Sequence, residues 1–172
     1  MTIAYAILVL VVLQRVWELW YAARNTRALK ARGAIEYGRA HYPLLVLLHA
    51  SWLIAVAIGI RFDPAVRVFP LVLFVLVQGL RVWVLATLGP YWTTRIITVP
   101  EAPLVNRGPY RFIRHPNYLV VVTEIALLPL VFGQMRNAIV FSVLNGAILA
   151  WRIHIEDATL DPRRSLQRTR AL

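Results

Sequence analysis

Three arginines, a histidine and two tyrosines lie within the run Arg107-Gly108-Pro109-Tyr110-Arg111-Phe112-Ile113-Arg114-His115-Pro116-Asn117-Tyr118, directly before an apolar stretch. Guanidinium groups bind carboxylates and phosphates, an imidazole can move a proton near neutral pH, and a phenol can donate or accept a hydrogen bond. Pro109 and Pro116 bias the residues before them away from helix, so the run reads as a shaped loop that delivers these groups to one place. About forty residues further on, Arg152, Glu156 and Asp157 set a guanidinium one helical turn from two adjacent carboxylates. A solvated i,i+4 pair worth about 0.2–0.5 kcal/mol would account for Arg152 and Glu156 but not for Asp157.

The elements that must position these groups are hydrophobic. Of the 172 residues, 59% are hydrophobic and 16% charged, and the mean hydropathy is +0.62. A soluble domain of this size carries about 25% charged residues. The sequence therefore predicts an all-α polytopic membrane bundle in one domain. Its helices are expected at about 2–23, 43–60, 68–88, 118–132 and 138–155, with a site-side loop at 89–117 and a basic tail at 156–172. The first apolar run has no preceding basic residue and no small-residue cleavage site at the usual distance, so it reads as a retained span. Residues 24–42, interrupted by Gly33 and Gly38, read as an interfacial amphipathic helix and turn. Thirteen arginines and lysines fall in residues 24–42, 89–117 and the tail after Asp161, against three in the other two connections. The positive-inside rule with five spans then puts the N-terminus outside and the C-terminus in the cytoplasm. Both motifs fall on the cytoplasmic side, where the lipid bilayer and a soluble cofactor meet.

The short connection Gly133-Gln134-Met135-Arg136-Asn137 makes the fourth and fifth helices antiparallel neighbours and brings Tyr118 level with Arg152. Glu124, six residues past Tyr118, would lie ~9 Å deeper in the membrane. An unpaired charge there is costly, and Arg81 is the available partner. His41, His49 and Trp52 cluster near the start of the second helix and read as lining for a lipophilic acceptor. With no cysteine and no third ligand at a familiar spacing, they do not read as a metal site. The net charge of +11 does not indicate nucleic-acid binding, because long aliphatic runs separate the arginines. No G-x-G follows a strand, which excludes a Rossmann-type site, and no phosphate-binding P-loop or G-x-S-x-G elbow is present.

The pattern G-P-Y-R-x-x-R-H-P-x-Y, an apolar helix and then Arg152, Glu156 and Asp157 resembles the isoprenylcysteine carboxyl methyltransferase family of integral membrane enzymes. The resemblance is specific over about the last seventy residues. It implies S-adenosyl-L-methionine as methyl donor, with Gly108, Tyr110, Arg114, His115, Pro116, Tyr118, Glu156 and Asp157 as cofactor-binding residues and His115, Glu124 and Arg152 as catalytic residues. It further implies a lipophilic acceptor; His41, His49, Trp52 and Arg81 are the residues expected to contact it, at the face of a bacterial cytoplasmic membrane. Where the family commonly has two glutamates, this chain has Glu156-Asp157, which shortens one carboxylate arm. The acceptor is either a carboxylate, which needs no base, or a phenol or enol hydroxyl of the alkylpyrone or alkylresorcinol kind, which His115 or Glu124 would deprotonate. Membrane sterol reductases resemble the chain in the R-H-P-x-Y region. As an alternative they imply NADPH, with its phosphates on Arg107, Arg111 and Arg114. A non-catalytic lipid-binding protein is a third reading, and it leaves Glu156 and Asp157 unexplained.

Overall fold

Helix α1 runs over Thr2–Ala31, a stretch with no glycine or proline to stop it, and therefore continues well past the apolar limit near Ala23. The computed structural model describes the backbone of residues 2–99 and 105–170 and the side chains of residues 3–99 and 105–160. The arginines of the expected basic tail, Arg163, Arg164, Arg168 and Arg170, lie outside the described side chains. After α1 come α2 (Tyr42–Phe62), α3 (Val68–Leu88), α4 (Pro116–Val131) and α5 (Met135–Arg170). Four of these helices are long and apolar enough to cross a membrane, and α4 is a shorter apolar helix. The chain is an all-α polytopic bundle and an integral membrane protein.

Residues 24–42 correct the sequence reading. No separate interfacial helix forms there. The chain leaves α1 through a turn in which Ala34 N donates to Leu29 O at 3.1 Å, and Gly33 supplies the left-handed φ of 80°. It then enters a short strand, β1 (Ile35–Tyr37), antiparallel to β2 (Ile96–Thr98), with Ile35 opposite Thr98 and Tyr37 opposite Ile96. β-branched and aromatic residues favour this pairing. The ribbon ties the α1–α2 connection to the α3–α4 connection at one end of the bundle.

Helix α4 packs against both α3 and α5, and α2 packs on α5. The main core occupies the end away from the ribbon, where Leu8, Val56, Ile60 and Leu128 are buried. A smaller cluster, Ala22, Val84, Trp92 and Val120, lies under the ribbon end. Leu13, Trp20, Leu47, Leu76 and Val143 are exposed on the outside, as expected of a lipid-facing surface.

Candidate active site

Tyr118, at the start of α4, meets α5 at the ribbon end of the bundle. Pro116 opens α4, where a missing N–H costs nothing. One turn of α5 then presents Arg152 and Glu156 to Tyr118. Arg152 Nε donates to the Tyr118 hydroxyl at 2.9 Å, and that hydroxyl donates to Glu156 Oε2. His115 stacks on the Tyr118 ring with centroids 5.2 Å apart, and its Nε2–H donates to Asp157 Oδ1 at 3.1 Å. The tautomer making that bond leaves Nδ1 3.8 Å from Glu156 Oε1. Even with its shorter arm, Asp157 reaches the imidazole.

On its other side Arg152, which is buried, donates to His41 Nε2 at 3.3 Å. His41 must then carry its proton on Nδ1, a buried atom with no hydrogen-bond partner among the described residues. The result is a chain of polar groups running from His41 through Arg152, Tyr118 and Glu156 to His115 and Asp157. It draws on the 3₁₀ turn Arg39–His41, the loop before α4, and α4 and α5 themselves.

Tyr110 is half-buried near this group. Burial, reinforced by the Glu156 carboxylate, pushes its hydroxyl above the ordinary tyrosine range, so it stays a neutral donor. Gly108 has φ 57°, and a Cβ there would overlap Thr87 Oγ1, so the glycine lets the loop dock on α3. Arg107 donates to Thr87 O at 3.4 Å, whereas Arg111 and Arg114 are exposed.

Arg81 and Glu124 meet, as expected of charges inside a membrane, but within a larger network. Arg81 grips Glu18 through Nε at 2.5 Å and Nη2 at 2.8 Å, and its Nη1 donates to Glu124. Arg15 donates to both carboxylates, at 2.9 Å to Glu18 and 2.8 Å to Glu124. Gln78 donates to Glu124 at 2.7 Å. Two cations thus balance two anions. None of these contacts reaches Arg152 or His115.

His49 and Trp52 also stand apart from the Arg152 group. His49 Nδ1–H donates to Leu45 O at 2.8 Å, Trp52 Nε1–H donates to Ile125 O at 3.2 Å, and the two rings meet edge to face. Helix α2 begins only at Tyr42, so His41 is not on the helical face of the other two.

Several residues with clear roles escaped sequence reasoning. Gln14, Arg15 and Glu18 interrupt the apolar run of α1. The signal was available, because polar residues buried in spans pair with one another. Glu36 holds the ribbon, with Lys30 and Arg95 each at 2.5 Å and Arg39 at 3.5 Å. Burial opposes the ionisation of Glu36, but the bonds from Lys30 and Arg95 outweigh it and hold its carboxyl below the usual range. Asn145, two turns before Arg152 on the same stripe of α5, is buried with neither amide atom hydrogen-bonded among the described residues.

The fold and the site define the class: a polytopic helical membrane protein with an arginine, a tyrosine and two carboxylates converging at one end of the bundle. The isoprenylcysteine carboxyl methyltransferase (ICMT) family model matches residues 70–162, which include the whole Arg152 group except His41. The chain belongs to that family, and methyl transfer is the family's general activity. An uncharacterized protein of Bacillus subtilis (strain 168), YpbQ, is 36% identical over 160 residues, covering 91% of this chain and 95% of the relative. An uncharacterized protein of Haemophilus influenzae (strain ATCC 51907 / DSM 11121 / KW20 / Rd) is 27% identical over 152 residues, covering 85% and 88%. No solved structure matches.

Proposed function

We propose that the protein is an S-adenosylmethionine-dependent O-methyltransferase that acts on a lipophilic acceptor at the cytoplasmic face of the membrane. The observation that carries the reading is the convergence of Arg152, Tyr118, Glu156, His115 and Asp157. The donor set fits the cofactor. Glu156 and Asp157 can accept from its ammonium and ribose hydroxyls, and Arg152 keeps the rest of its five donors for the carboxylate. When bound, the cofactor supplies an electrophilic methyl group for in-line displacement by the acceptor oxygen.

Tyr118 fixes the spacing of Arg152 and Glu156, and Tyr110 adds a neutral hydroxyl beside them. Both Glu124 oxygens are already taken by Gln78, Arg15 and Arg81, so a hydroxyl acceptor would give its proton to His115 Nδ1. The buried Nδ1–H of His41 and the amide of Asn145 have no hydrogen-bond partner among the described residues and can meet the polar group of an acceptor entering from the bilayer. A hydroxyl-bearing alkylpyrone or alkylresorcinol is the acceptor class we favour. The test is equilibrium binding of S-adenosylmethionine to the detergent-solubilised chain, with NADPH as the comparison ligand. The parent is expected to bind the former only, and Glu156→Ala to lose that binding while keeping its helical circular-dichroism signal. Unchanged affinity in Glu156→Ala, or preference for NADPH, overturns the reading.

A further inference from the structure

A cleft of about 470 Å³ opens between the C-terminal half of α1 and the ribbon, and Arg39 of the Arg39–His41 turn lines it. Its α1 wall changes character along one helical stripe. Leu19 and Ala23 are apolar, and Arg27 and Lys30 follow at helical spacing. Arg39 and Arg95 close the opposite side over Glu36.

Charge in the cleft is unbalanced. Glu36 contacts Lys30, Arg39 and Arg95, and Arg27 takes no part in holding it. Among the described residues, four cations therefore face one carboxylate. The three that hold Glu36 are still reachable, with Lys30, Arg39 and Arg95 side chains 42%, 73% and 36% exposed. Arg95 also lies over the Tyr42 ring, 4.2 Å from its centroid, and Tyr42 is tied to Thr94 at 3.3 Å, so this guanidinium is positioned before any ligand arrives.

Depth supplies the second argument. From Leu19 to Lys30 the helix rises ~16 Å, enough to pass from the hydrocarbon into the headgroup layer. A small soluble anion would have no use for an apolar wall, whereas an amphiphile needs both ends. We propose that this cleft binds an anionic phospholipid, one whose phosphate is not neutralised by a headgroup cation, with the phosphate among Arg27, Arg39 and Arg95 and the chains along Leu19 and Ala23. Occupancy would hold Arg39, and through the same turn His41, which Arg152 touches.

The full chain is purified in detergent and titrated with phosphatidylglycerol, with phosphatidylcholine, and with glycerol 1-phosphate as the chainless arm. Bound adducts are counted by native mass spectrometry. Phosphatidylglycerol is expected to bind at least about tenfold tighter than phosphatidylcholine, with a loss of about fivefold per arginine removed in Arg27→Gln and in Arg27→Gln/Arg39→Gln. Arg61→Gln/Arg136→Gln, with equal charge loss at the other end of the bundle, is expected to bind as the parent does. Arg27→Gln alone keeps the test valid if the double variant does not fold. Equal weakening in both double variants, or no preference between the two lipids, overturns the proposal. If glycerol 1-phosphate binds as tightly as phosphatidylglycerol, the phosphate contact stands and the lipid source is overturned.

Discussion

Replacing Tyr118 by phenylalanine removes one oxygen from the centre of the site and nothing else. The ring is 8% exposed and stacked on His115, so its packing survives. Two bonds disappear, one accepted from Arg152 and one given to Glu156. A hydrogen bond to a charged group contributes about 1.5–3 kcal/mol. Without the hydroxyl between them, the guanidinium and the carboxylate attract each other directly and recover part of the loss. The net loss is then about one such bond, which weakens S-adenosylmethionine binding by about tenfold to a hundredfold. Isothermal titration of the purified chain in detergent measures this, with the unfolding midpoint as a check that the fold persists. A tyrosine that merely marks the headgroup level would tolerate phenylalanine. A dissociation constant within about twofold of the parent would therefore refute the assignment. So would effects of Tyr118→Phe and Glu156→Gln on unfolding free energy that add within about 0.3–0.5 kcal/mol, since a bridging hydroxyl must couple them.

Other perturbations test the supporting structure. Arg81→Met strands one of two buried carboxylates and is expected to destabilise the fold by about 3–5 kcal/mol, and a second change, Glu18→Gln, restores neutrality and most of the unfolding midpoint. Glu36 has a lowered pKa, so its stabilising contribution is complete above the ordinary value of 4.5 and disappears as pH falls through the lowered one. The difference in unfolding midpoint between the parent and Glu36→Gln is expected to be constant above about pH 5 and to vanish in stronger acid. Gly108→Ala, which puts a Cβ against Thr87 on a backbone with positive φ, is expected to cost about 1–3 kcal/mol in unfolding free energy. A reporter fused after Leu172 is expected to be active only in the cytoplasm, and activity outside would reverse the proposed orientation.

Loop length carried more of this site than residue type did. The five residues from Gly133 to Asn137 were enough to set α4 against α5, and the Tyr118–Arg152 bond follows from that hairpin. The pairing of Arg81 with Glu124 was also legible, because a short carboxylate inside a membrane needs a nearby cation. Glu18 was legible only as a charge in a span that needs a partner: Arg15 lies one turn away, but nothing local points to Arg81, 63 residues on. The same holds for the ribbon. Ile35 opposite Thr98 is a non-local pairing, and Gly33 and Gly38 suggested a broken helix where the chain in fact turns into a strand. His41 was grouped with His49 and Trp52 through an assumed helical register, but the 3₁₀ turn before Tyr42 rotates it toward Arg152.

The shortness of α4 bears on where in the bilayer the proposed reaction would take place. Its 16 residues rise only ~24 Å, against a hydrocarbon core of about 30 Å. If the far end of α4 sits at its own interface, His115 and Tyr118 lie about 6 Å below the opposite one. Either the bilayer thins around α4 or the site is sunk into the membrane. In both cases the lipophilic acceptor proposed above, approaching sideways, would need little vertical displacement to reach the site. Lipids with longer acyl chains deepen the mismatch, so bilayer thickness itself becomes a variable that sets how readily donor and acceptor meet.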